Sequence, residues 1–140
     1  MIAATEIVSA LWSDINSSSL KTALASGGGV YKNRRPTDSK KEDIVINSLP
    51  VNSEQLQKAV ANVNIYVPDK MINLNGTQTM VIDYARFAVL LPLATALLKE
   101  KFSSGDWHYE LQQVSDVIED KESGSHFVNI RIEFFNINTN

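Results

Sequence analysis

Cysteine is absent from the 140 residues. That excludes disulfides, thiol nucleophiles and cysteine-ligated metal centres, and it suits folding in a reducing cytoplasm. Long apolar runs are also missing; none approaches the roughly 20 residues that span a bilayer. An excess of positive charge is missing too: the net charge is −3, which argues against a dedicated nucleic-acid binder. The opening stretch "MIAATEIVSALWSDIN" has neither the basic segment nor the continuous apolar core of a signal peptide and carries Glu6 and Asp14 instead, so no secretory leader is expected. Asn75-Gly76-Thr77 matches a glycosylation acceptor, which has no meaning without secretion.

What is present fits one globular domain over residues 1–140 with a single core. Hydrophobic residues make up 44% and charged residues 21%, ordinary values for such a domain. Charge is unevenly spread. Residues 32 to 41 hold five of the 13 basic side chains, while residues 106 to 140 hold seven acids against Lys121 and Arg131. A basic side and an acidic side follow, a polarity that suits head-to-tail contact between copies.

Ile7, Leu11 and Ile15 recur four apart, with Val8 and Trp12 alongside, and predict a helix over residues 3 to 15. A short second helix is expected around Leu20 to Ala25, stopped by the glycines at 27 to 29. "EDIVINSL" reads as a strand. In "AVANVNIYV" the residues Ala59, Ala61, Val63, Ile65 and Val67 fall on one face, the alternation of a half-buried strand. A polar connection, "DKMINLNGTQTM", leads to residues 82 to 101. There Phe87, Leu90, Leu91, Ala94, Leu97 and Leu98 predict a long helix, kinked or broken near Ala88 to Leu91 by Pro92. "WHYELQQVSDVIED" and "HFVNIRIEFFNIN", joined by "KESGS", predict a closing hairpin. The expected fold is therefore α+β: a mainly antiparallel sheet of about four to five strands, packed by an N-terminal helix and a long central helix.

Candidate chemistry is thin. In "GGGVYKNRRPTDSKKEDIVINSL" the glycines follow a helix and open a strand. A phosphate loop needs the reverse order and a Gly-Lys-Ser/Thr that is not present, so chain reversal is the favoured reading. The basic residues Lys32, Arg34, Arg35, Lys40 and Lys41 have Tyr31 beside them but no interleaved aromatics for base stacking. An exposed contact loop is favoured over a nucleic-acid arm. In a hairpin turning at Ser123-Gly124, His126 faces Glu119, while His108 lies at the far end near Ile137. The two histidines cannot then share a metal ion. The acids Asp116, Glu119, Asp120 and Glu122 lack the spacing of a calcium loop, and no G-x-S-x-G elbow occurs. No catalytic, cofactor or metal residues are assigned, and no enzyme activity is expected.

The order of segments is similar to that of the small tail-terminator, or tail-completion, proteins of long-tailed bacteriophages and related prophages. A helix ends in a glycine turn, followed by "VYKNRRP", the strand "EDIVINSL", the strand "ANVNIYVPD", a helix, and a hairpin closing in "RIEFFNIN". The likeness lies in this layout over nearly the whole chain; the single motifs are short. It implies a structural virion protein, assembled in the bacterial host cytoplasm and residing in the tail. Copies, commonly six, would form a homo-oligomeric ring at the head-proximal end. The ring would stop tail-tube polymerisation and offer the docking surface for the head. The implied partners are further copies of the chain, the tail-tube protein and the head connector, with DNA passing through the channel without sequence-specific binding. A head-completion or connector protein of the same head–tail interface, or a small nucleic-acid-binding module using residues 32 to 41, are the alternatives. The contact residues expected are Arg34, Arg35, Lys40 and Lys41 in the basic loop, and Met71, Asn73 and Asn75 in the polar segment.

Overall fold

The computed structural model describes residues 4–49, 58–102 and 107–136. Among these residues three short α-helices, α1 (Ala4–Asn16), α2 (Ser19–Ala23) and α3 (Tyr84–Leu98), accompany nine strands. These are β1 (Val30–Lys32), β2 (Asp43–Ser48), β3 (Lys58–Pro68), β4 (Lys70–Leu74), β5 (Thr77–Val81), β6 (Glu100–Phe102), β7 (Trp107–Val114), β8 (Ile118–Asp120) and β9 (Ser125–Asn136). Seven of them form one curled sheet in the order β1-β2-β3-β9-β7-β6, with β8 beside β9. β4 and β5 form a separate two-stranded ribbon.

This overturns the expected sheet of four to five mainly antiparallel strands beneath a long central helix. The sheet is mixed, because β1 runs parallel to β2, and it has more strands than expected. Each addition is short: β1, β6 and β8 have three residues apiece, too few for an alternation to show in sequence. The central helix has 15 residues, fewer than the stretch 82–101, and its expected end at Glu100 and Lys101 belongs to the edge strand β6. The polar connection is itself a hairpin, β4–β5. Its turn residues Asn75 and Gly76 both have positive φ, 51° and 85°, the signature of a type I′ turn.

The core lies on one face of the sheet, and the register explains why. Across β2, β3 and β9 the rows Ile44–Ile65–Val128 and Ile46–Val63–Ile130 align, and Ala59, Phe134 and Tyr109 align across β3, β9 and β7. All of these side chains are buried. α1 covers the β1–β2 end with Ile7, Leu11 and Ile15, and the Trp12 indole N–H donates to the Val30 carbonyl at 2.8 Å. α3 closes the other end with Phe87, Leu90, Ala94 and Leu98, a three-and-four spacing that gives one helix face to the sheet. The Asp83 carboxylate caps α3 by accepting from the Arg86 N–H at 3.3 Å, as a helix start requires. Of the kink or break expected near Ala88 to Leu91, the break does not occur: α3 runs through Pro92 without interruption. Ala88, whose carbonyl loses its helical donor to that proline, is exposed, so water can replace the missing bond.

Candidate assembly surface

The glycine triplet reverses the chain in three different ways. Gly27, the last residue of a 3-10 turn, takes φ +72°, a left-handed conformation that glycine adopts without steric cost. A Cβ at Gly28 would lie 1.5 Å from the Glu42 carbonyl oxygen, so only glycine fits there. The Gly29 N–H donates to the Asp43 carboxylate at 3.1 Å. The Gly28 N–H donates to the Ala25 carbonyl at 3.2 Å, so these two amides are engaged within the chain and not turned to a phosphate.

Glu42 and Asp43 are buried, and burial of a charge requires a partner. Glu42 meets Arg86 through two hydrogen bonds of 2.7 and 2.8 Å, and accepts a third from the Ala25 N–H at 2.8 Å. Arg86 also donates to the Ala23 carbonyl at 2.8 Å. This fork ties the start of α3 to the end of α2, and the bond to Glu42 raises the Arg86 pKa above its ordinary value. Asp43 accepts from the Ser39 hydroxyl and lies 3.6 Å from the Arg35 Nε.

Arg35 is thereby committed to the fold. Its side chain is only 10% exposed, its Nη2 donates to the Ser39 carbonyl at 2.7 Å, and its guanidinium stacks 4.3 Å from the Tyr66 ring centre. Burial first, and then the Asp120 charge, push the Tyr66 pKa up. Lys40 donates to the Ser123 carbonyl at 2.7 Å, and Lys32 to the Ser9 hydroxyl at 3.2 Å. Among the described residues, the side chains of Arg34 and Lys41 have no such bonds and both are exposed.

Met71, Asn73 and Asn75 all lie on the β4–β5 ribbon. Met71 is paired with Met80 and Asn73 with Gln78; the Asn73 carboxamide accepts from the Gly76 N–H at 2.7 Å and so braces the turn. Met71, Leu74 and Met80 are 58%, 49% and 51% exposed, with Tyr84 at the ribbon's foot at 65%. The ribbon and the basic loop spring from one place. The Asp69 N–H donates to the Gly124 carbonyl at 3.2 Å, next to the Ser123 carbonyl that holds Lys40. His126 lies opposite Glu119 in register, as expected, but its Nδ1 is 2.6 Å from the Asp69 carboxylate. A cavity of about 260 Å³ opens beside this junction, lined by Arg35, Asp38, Tyr66, Asp120 and Glu122 among others.

The face of the sheet turned away from the core carries a different pattern. Asn47, Asn62, Asn129 and Asn64 are joined by amide hydrogen bonds of 2.8 to 3.2 Å. Beyond them Glu100, Glu110 and Glu133 align across β6, β7 and β9, followed by the row Phe102–His108–Phe135. His108 is thus at the far end from His126, and the two do not meet; Ile137 lies outside the described residues. Sequence reading missed the Glu42–Arg86 fork, although Arg86 is the lone cation between Lys70 and Lys99. It missed the glutamate row because β6 reads as the end of a helix. No helix among the described residues is long and apolar enough to cross a membrane. No protein-family model matches the chain, and no curated protein matches it in sequence.

Proposed function

We propose that the protein is a structural subunit of a bacteriophage tail, assembling as a ring, expected to be hexameric, at the tail's head-proximal end. There it ends tail-tube polymerisation and provides the surface on which the head connector docks. One observation carries this reading: the β4–β5 ribbon stands outside the main sheet and presents Met71, Leu74 and Met80 to solvent. Met71 and Met80 are cross-strand partners on one face of the ribbon, with Leu74 on the other, and large exposed apolar side chains of this kind mark a contact surface. A contact between two different patches of one chain closes into a ring when the rotation between copies fits.

Charge supports the same reading. Arg34 and Lys41 remain exposed beside the ribbon's anchor, where they can set register against an acidic face of the next copy. Three of the five basic residues of this segment, Lys32, Arg35 and Lys40, are already bonded within the chain. Phosphate contact would have to compete with these bonds and with a net charge of −3. DNA threading a ring of net-acidic subunits passes without being held. Light scattering of the purified protein over a range of concentration and salt, with negative-stain images of any large species, tests the proposal. A closed ring with a central hole is expected. A strict monomer under every condition counts against it.

A further inference from the structure

His108 poses a chemical problem that the fold alone leaves unsolved. Its ring is clamped between Phe102, 4.2 Å away and tilted by 8°, and Phe135, 5.5 Å away and tilted by 17°. The Nε2 is buried and has no hydrogen-bond partner. It points at two carboxylates but stops 4.0 Å from Glu100 and 3.9 Å from Glu110, beyond hydrogen-bonding reach. The carboxylates are a second problem. Glu100, Glu110 and Glu133 stand directly opposite one another on three adjacent strands, and like charges so placed repel. Lys58 approaches Glu133 at 4.0 Å, which leaves Glu100 and Glu110 to be neutralised.

We propose that Glu100, His108 and Glu110 form a three-ligand zinc site on the outer face of the sheet, with water at the fourth position. The three donor atoms lie within 4.8 Å of one another. Bond lengths of about 2.0–2.2 Å in a tetrahedral site bring donors to about 3.3 Å apart. The two glutamate side chains, 49% and 45% exposed, are free to close that gap, while the stacked imidazole stays in place as the fixed ligand. One imidazole with two carboxylates suits zinc better than magnesium or calcium, which favour six or more oxygens. The ion cancels the Glu100–Glu110 repulsion, gives the buried Nε2 its partner and fastens the three-residue edge strand β6 to β7.

The test uses untagged protein, stripped with chelator and dialysed, then titrated with ZnCl2 by calorimetry and melted with and without the metal. One zinc per chain and a raised melting temperature are expected, and equimolar MgCl2 should leave the melt unchanged. His108→Phe keeps a ring between Phe102 and Phe135 but removes the ligand; Glu110→Gln keeps the shape and removes the charge. Each should weaken zinc binding by about tenfold or more and abolish the rise in melting temperature. If His108→Phe fails to fold, Glu110→Gln decides alone. Absence of stoichiometric binding to the wild type, equal stabilisation by magnesium, or undiminished affinity in the folded variants overturns the proposal.

Discussion

Tyr109 shows how one side chain makes the fold sensitive to pH. It is 1% exposed, and its hydroxyl donates to the Asp14 carboxylate at 3.2 Å, whose other oxygen holds Lys101 at 2.7 Å. Burial first, and the Asp14 charge second, push the phenol pKa well above its ordinary value of 10.0. A raised folded-state pKa means that the fold favours the neutral phenol. Its contribution is complete below about pH 10, where the unfolded tyrosine begins to ionise, and is lost as pH climbs towards the folded value. Urea midpoints measured from pH 8 to 11.5 should therefore fall above pH 10 in the wild type and fall less steeply in Tyr109→Phe. Tyr66 shifts in the same direction, so some slope should survive the substitution. Parallel curves for the two proteins would assign the alkaline loss to other groups. At neutral pH the variant gives up one hydrogen bond to a charged carboxylate, about 1.5–3 kcal/mol.

Among the elements, α3 holds together against a local penalty. Pro92 lies inside it, where a proline costs about 3 kcal/mol through its missing N–H and its ring. Phe87, Leu90, Ala94 and Leu98 are buried on the same helix, and this packing outweighs the penalty. Pro92 itself is exposed, so Pro92→Ala should restore the Ala88 bond without disturbing the core. It should raise unfolding free energy by up to about 3 kcal/mol, read from thermal or urea melts; an unchanged or lowered stability would show that the helix accommodates proline at no cost. The same competition limits what the sequence reveals. Where period and burial agree, as in the Ala59–Val67 alternation and the Ile7–Leu11–Ile15 stripe, element and buried face are both legible. Where tertiary packing overrides a local signal, as at Pro92, the expected break fails. Where a strand has only three residues, as β1, β6 and β8 do, only its neighbours define it. The Asn75-Gly76 dipeptide is a hairpin-turn signal, but with its polar flanks the stretch reads only as a connection and the hairpin is missed. The site residues divide likewise: the exposure of Arg34 and Lys41 follows from composition, whereas the engagement of Arg35 with Asp43 and Tyr66 depends on long-range register.

For the whole molecule, the question is which surfaces remain for other copies once the chain has satisfied itself. In the basic loop Arg35 is committed to Asp43, and Lys40, though exposed, is tied to the Ser123 carbonyl. Assembly driven by that loop alone would rest on Arg34 and Lys41, and exposed charge pairs each contribute about 1 kcal/mol or less. The ribbon offers more. Fully burying a methionine side chain contributes about 1.5–3 kcal/mol, and Met71 and Met80 sit side by side in register with more than half their surface open. They are therefore placed to serve as the anchor, with the charges setting register around them. Met71→Ser combined with Met80→Ser removes that apolar surface and touches no core residue. The monomer's circular dichroism should be unchanged and its unfolding free energy should move by no more than about 0.5 kcal/mol for each exposed substitution. The large species that the proposed assembly predicts for the wild type in light scattering should be lost in this variant at the same concentration. Arg34→Glu with Lys41→Glu should instead shift the salt dependence of assembly, because exposed charges are screened over about 10 Å at 0.1 M salt whereas apolar contacts are not. Rings that persist in the double serine variant would exclude the ribbon as the joint. Rings lost only in the charge-reversed variant would place the joint at the loop.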